Sequence, residues 1–297
     1  MNFKSETKSN FPGHDDRLLW ALVRILVFLV TFFAQIFAIR MTLESLSFNP
    51  FGILGDFEIV AGGLCNLICA ALAIFVSGYG SSVNLKTIGL KANAVDALKH
   101  SVIGFLIGGA IISLLVGILS LTGGYSFIGF REDVKLAPYL MLFFFAALAE
   151  ELVFRGFVFQ LFEKSIGSIK ALIVASVFFG FAHCINGLSS DNMAIIFACT
   201  FLVVEAGIPL NLAYVLSRNL WLPLGIHWSW NFFEGAIFGA NVSGLDLKHS
   251  LIKAEVTDGI LGGGGVFGPE STVAGLFVGI VFSFLFWKQV KKSGALE

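Results

Sequence analysis

Charge is the scarcest resource in this chain. Of 297 residues, 13% are Asp, Glu, Lys or Arg, about half the share usual for soluble domains. The net charge is −1, so there is no basic footprint for nucleic acid, and nucleic-acid binding is excluded as a function class. Cysteine is also sparse. Cys65, Cys69, Cys184 and Cys199 lie in or beside apolar runs and form no Cys-x-x-Cys pair. They show no secreted disulfide framework, and Cys65 and Cys69, which share a helix face, are read as small core residues. No small-residue cleavage site follows the first apolar run, so that run is expected to stay as an anchor and not act as a cleavable signal. There is no His-Glu-x-x-His helix of the zincin type, and no Gly-x-Ser-Gly segment suggests a serine nucleophile.

What replaces charge is apolar surface. Hydrophobic residues make up 57% of the chain, including 33 Phe. A membrane helix needs about 20 apolar residues. Runs near that length recur at 18–39, 59–77, 102–121, 137–162, 169–185, 193–217, 221–240 and 272–287. The fifth is marginal and the last short. The expected fold is all-α, a polytopic integral membrane helical bundle of about eight transmembrane helices, with a core built from helices 4–7. Along the chain this gives a cytoplasmic tail (1–17), three N-terminal helices (18–135) and the core (136–244). A Gly-rich loop (245–271) follows, either flexible or re-entrant, and then a C-terminal helix with a basic tail (272–297).

Orientation follows from the positive-inside rule. Arg24 and Arg155 lie within spans. Arg40, Arg131, Lys135, Lys248 and Lys253 fall on one side, and the remaining twelve of the 19 Lys and Arg fall on the side of the N-terminus. Both ends of the chain are therefore expected in the cytoplasm, with the bundle in the cell membrane.

Against this background the stretch AEELVFRG, Ala149 to Gly156, is out of place. Three ionised groups at mid-membrane cost roughly 8–10 kcal/mol, and the surrounding apolar residues return only about 5 kcal/mol. The segment therefore needs partners or water. Glu151 and Arg155 are spaced i,i+4 and can pair on one helix face. Glu150 points about 100° away and is left for another use. A carboxylate so placed is a candidate general base.

Two histidines also lie in apolar spans. In FFGFAHCI, Phe179 sits one turn before His183. In PLGIHWSWNFFEG, His227 and Asn231 share a face. At 1.5 Å per residue, Glu150 lies roughly 18 Å from the cytoplasmic end, His183 about 21 Å, Asn231 about 15 Å and His227 about 9 Å. Three of the four meet at one level. His14, His100 and His249 fall in polar segments and are read as surface residues. Glu with His can activate water for attack on a carbonyl, and His and Asn can donate to the resulting oxyanion. Glu150, His183 and His227 are equally a plausible ligand set for Zn²⁺ or another divalent metal; both options stand, metal or none.

In order, Glu-Glu-x-x-x-Arg (Glu150, Glu151, Arg155), Phe-x-x-x-His (Phe179, His183) and His-x-x-x-Asn (His227, Asn231) resemble the CPBP family. These are the CAAX-protease and bacteriocin-processing (Abi) intramembrane endopeptidases. The likeness covers roughly Leu136 to Gly244, and the FFEG and FGPE segments also look like bacterial members. The resemblance implies a peptide hydrolase acting on a peptide or protein in or at the lipid bilayer. By that analogy Glu150 and His183 activate water, His227 and Asn231 hold the oxyanion, and Glu151 and Arg155 orient Glu150. It leaves metal-dependent and glutamate-led mechanisms both open. Two other readings fit intramembrane charge: a small-solute transporter, and a non-catalytic binding or immunity protein on the same fold. Glu205, before the helix-breaking Gly207 and Pro209, is a weaker candidate for lining the same cavity, and Glu234 weaker still.

Overall fold

A computed structural model describes residues 14–45, 58–184, 192–247 and 249–295. The tail at 1–13, with Lys4 and Lys8, lies outside the described residues, as do Lys248 and the side chain of His14. The chain is an all-α polytopic membrane protein. Its helices are α1 (His14–Ser45), α2 (Glu58–Ser77), α3 (Ala94–Thr122), α4 (Leu136–Glu151), α5 (Gln160–Ile166), α6 (Ser168–Ala182), α7 (Asn192–Leu202), α8 (Ile208–Ser217), α9 (Trp221–Asn231) and α10 (Val273–Ser293). α4 passes into α5, and α7 into α8, through π-helical turns at Leu152–Phe159 and Val203–Gly207. A third π turn, Phe232–Ile237, extends α9.

Six described helical runs are long and apolar enough to cross a membrane. The fifth and seventh expected spans are shorter: Ser168–Ala182, and α9 with its π turn. The last is longer than expected. α10 runs to Ser293 because Lys288, Lys291 and Lys292 extend its final turns, where cations favour the negative helix end. α1 keeps large apolar side chains outward, among them Leu19, Leu26, Val30 and Phe37, as a lipid-facing helix requires.

One end of the bundle gathers the start of α1, the connector after α2, the α5–α6 and α8–α9 turns and the end of α10. The Ser165 hydroxyl donates to the Arg17 carbonyl at 3.3 Å. Lys164 reaches Ser82 at 3.1 Å. Arg218 pairs with Glu163 at 2.8 Å and donates to the Ala295 carbonyl. Arg24 turns to the same end and caps α2 through the carbonyls of Ser77 and Tyr79, at 2.6 and 3.0 Å. The connector at 241–271 is neither a free loop nor a simple re-entrant helix. Its strand β2 (Ile252–Val256) pairs antiparallel with β1 (Tyr125–Phe130), and a 3₁₀ turn, Pro269–Ser271, returns the chain to the bundle.

The tightest packing joins α3 to α9. Gly104 and Gly108 form a Gly-x-x-x-Gly face that lets two membrane helices touch through backbone. A Cβ at Gly108 would sit 2.2 Å from the Ile226 carbonyl oxygen, and one at Gly225 would sit 2.4 Å from that of Ser101. Gly117, on the same helix, faces open space. Gly108→Leu is therefore expected to cost at least the 1–3 kcal/mol or so typical of overpacking and to shift the detergent-solubilised protein toward aggregates. Gly117→Leu should elute as wild type in size-exclusion chromatography. Equal profiles for the two would refute the close approach.

Candidate active site

The α3–α9 contact also sets depth. Gly104 lies ten residues into α3, roughly 15 Å from its start, yet its neighbours are Leu222, Gly225 and Ile226 at the beginning of α9. α3 therefore begins well beyond α9, which starts at the bundle end, where Trp221 Nε1 donates to the Leu90 carbonyl at 3.2 Å. His227 nonetheless stands level with Glu150, 3.7 Å from its Oε2, and not at the shallower depth that its count from the span start suggested.

The side chains meet as follows. Glu151 Oε1 accepts from Arg155 Nη1 at 2.9 Å and from His227 Nδ1 at 2.7 Å. Both members of the Glu151–Arg155 pair are fully buried. Arg155 also donates to the Ala206 carbonyl at 3.3 Å, within the π turn before α8, and its guanidinium stacks 4.4 Å over the Phe179 ring. One arginine therefore ties the helix of the glutamates to α6, α8 and, through Glu151, α9. The pair holds His227; the resemblance had implied that it orients Glu150.

His183 Nδ1 lies 2.8 Å from the Phe179 carbonyl, and the two rings pack at 4.6 Å. A carbonyl or an ionised carboxylate can only accept, so both histidines carry a proton on Nδ1 and turn Nε2 inward. The two Nε2 atoms stand 3.6 Å (His183) and 3.7 Å (His227) from Glu150 Oε2. That oxygen is buried and has no hydrogen-bond partner among the described residues. Spacings beyond 3.5 Å between groups that only accept fit an intervening water.

Two cavities meet at Glu150. One, of about 190 Å³, is lined by Glu150, His183, His227 and Asn231, and also by Glu205 and Glu270. The other, of about 520 Å³, reaches Glu150 and His183 from between α1, α2 and α6, past Phe28, Phe32 and Phe181. The sequence reading missed Glu270 as a site residue. Its signal was faint, a single glutamate after a glycine-rich run. Glu234, rated low, is fully buried and accepts from Trp230 Nε1 at 3.1 Å. One cysteine pair was not expected: Cys184, beside His183, is paired in a disulfide with Cys199 of α7. No spacing rule flags cysteines 15 residues apart. Among the described residues no group of three His, Cys, Asp or Glu is arranged to hold a metal ion. Glu150, His183 and His227 thus do not form a ready ligand set as they stand, and no step below passes through a metal.

The fold and this buried Glu–His–Asn cluster define an integral membrane protein with a largely apolar chamber inside its helices that holds a few polar side chains. Residues 133–233 match the family of type II CAAX prenyl endopeptidase Rce1-like proteins, so this stretch is similar to CAAX proteases. No curated protein and no solved structure matches the chain.

Proposed function

We propose that this protein is an intramembrane endopeptidase in which Glu150 activates water against a peptide carbonyl. The observation that carries this is the unpartnered Glu150 Oε2 facing two histidine Nε2 atoms at 3.6 and 3.7 Å. A water in that gap gives one hydrogen to Glu150 and the other to a histidine. As its oxygen bonds to the carbonyl carbon, Glu150 takes its proton. Asn231, with His227 when it carries protons on both nitrogens, donates to the oxyanion. The C–N bond then breaks and Glu150 passes the proton to the departing amine. His183 positions the water, and Glu151 and Arg155 position His227. The large apolar cavity beside Glu150 suits a substrate that arrives from the lipid.

The test is cleavage of membrane-anchored peptides by the purified protein in proteoliposomes, with products read by mass spectrometry. If wild-type protein releases no more product than Glu150→Ala, the reading fails. Exhaustive chelation is expected to leave turnover within about twofold of the untreated rate, since the base is a side chain. A loss restored by added Zn²⁺ would assign a metal-dependent mechanism.

The proposed location is the cell membrane, with the basic end of the bundle in the cytoplasm. Lys164, Arg218, the start of α1 and the end of α10 gather there, in keeping with the positive-inside rule. A reporter that fluoresces only in the cytoplasm should be bright when fused after α10. A dark fusion at normal expression would reverse the orientation.

A further inference from the structure

The mechanism leaves part of its own cavity unused. Glu205 and Glu270 line the chamber that holds Glu150, and no Lys or Arg among the described residues lines it. Arg155 is already committed to Glu151. Glu205 is 2% exposed, and neither of its carboxylate oxygens has a hydrogen-bond partner among the described residues. Burial of such a group without a partner is costly, and a ligand that supplied donors would offset that cost.

Its placement is also built. The π turn Val203–Gly207 carries it, and π turns interrupt helices at functional positions. Across from it, α10 presents two glycines. A Cβ at Gly275 would meet Glu205 Oε1 at 2.7 Å, and one at Gly279 would meet its Cα at 2.5 Å. Glu270 is brought in by the 3₁₀ turn and held by the hydroxyl of Ser243. Ser243 adopts a left-handed backbone, φ 47°, a conformation costly for a residue with a side chain.

We propose that Glu205 and Glu270 bind a basic side chain, Lys or Arg, of the substrate residue adjoining the scissile bond. This rests on the endopeptidase reading. Two carboxylates, with no group of three metal-type ligands among the described residues, suit an ammonium or guanidinium group. It binds within the reaction chamber, so it belongs beside the bond that is cut. A peptide that placed its free terminal carboxylate there would meet carboxylates and no cation.

The experiment uses proteoliposomes and peptides that differ only in carrying Lys, Arg, norleucine or Glu on either side of the cleaved bond. Wild-type kcat/KM for the Lys or Arg peptide should exceed that for norleucine by about tenfold or more, as expected for a buried charge pair. Glu205→Gln should bring that ratio close to one, chiefly through KM, and Glu270→Gln should lower it as well. In parallel, Kd for the Lys and norleucine peptides is measured on Glu150→Gln protein. A wild-type ratio near one means neutral or purely structural carboxyls and overturns the proposal, as does a ratio that survives both substitutions. If Glu205→Gln does not fold, the wild-type ratio and Glu270→Gln still decide. If no peptide is cut by wild type, the endopeptidase reading fails, while the Kd comparison still reports whether the chamber selects a cation.

Discussion

Glu150→Gln is expected to lower kcat for peptide hydrolysis by about 10²–10⁴-fold, the usual worth of a positioned general base, with little change in folding. The two halves of this expectation come from different observations. Activity falls because the amide cannot accept the water's proton, although it still fills the same space between the two histidine nitrogens. Stability holds because Glu150 Oε2 has no hydrogen-bond partner to lose, and its side chain is 34% exposed to the cavities. The paired measurement is single-turnover cleavage and thermal melting in the same detergent. Unchanged cleavage would remove Glu150 from the chemistry. A collapse in melting temperature would make it a packing residue, and a transporter or binding reading would then move forward.

The parts of this arrangement that could be read from the sequence are those set by spacing along one helix. Glu151 and Arg155, Phe179 and His183, and His227 and Asn231 are each four residues apart, and helix geometry alone puts each pair on one face. Long apolar runs likewise make helices of known approximate length. Contacts between helices were not legible. His227 was placed too shallow relative to Glu150 because where α4 and α9 cross depends on two segments far apart in sequence. The same holds for Glu151, whose bond to His227 joins α4 to α9, and for Glu270, whose approach depends on how a glycine-rich connector turns back. The π turns beside Glu151, Glu205 and Glu234 also escaped notice. A helix that adds one residue to a turn keeps the same apolar composition, so periodicity cannot report it.

The second large effect is expected at Arg155. Its guanidinium and the Glu151 carboxylate are both 0% exposed, so solvent does not screen them. Arg155→Met strands the carboxylate with only His227 as a partner. It also removes the donor to Ala206 and the cation over Phe179. Loss of one member of a buried pair typically costs about 3–5 kcal/mol, a large share of the stability of most domains. Removing both charges is a different matter, because no uncompensated carboxylate remains. Glu151→Leu/Arg155→Met is expected to recover most of the lost stability, since apolar replacement of a whole buried pair is often neutral. Activity should not return with it. Without Glu151, His227 has lost the acceptor that fixes its Nδ1 proton and its ring orientation. Unfolding curves and cleavage rates of the two variants thus separate the two duties of the pair, holding the bundle together and aiming a histidine. Full recovery of cleavage in the double variant would show that His227 needs no such partner. A single variant within about 1 kcal/mol of wild type would place Arg155 among the weak pairs typical of exposed surfaces, at odds with its burial.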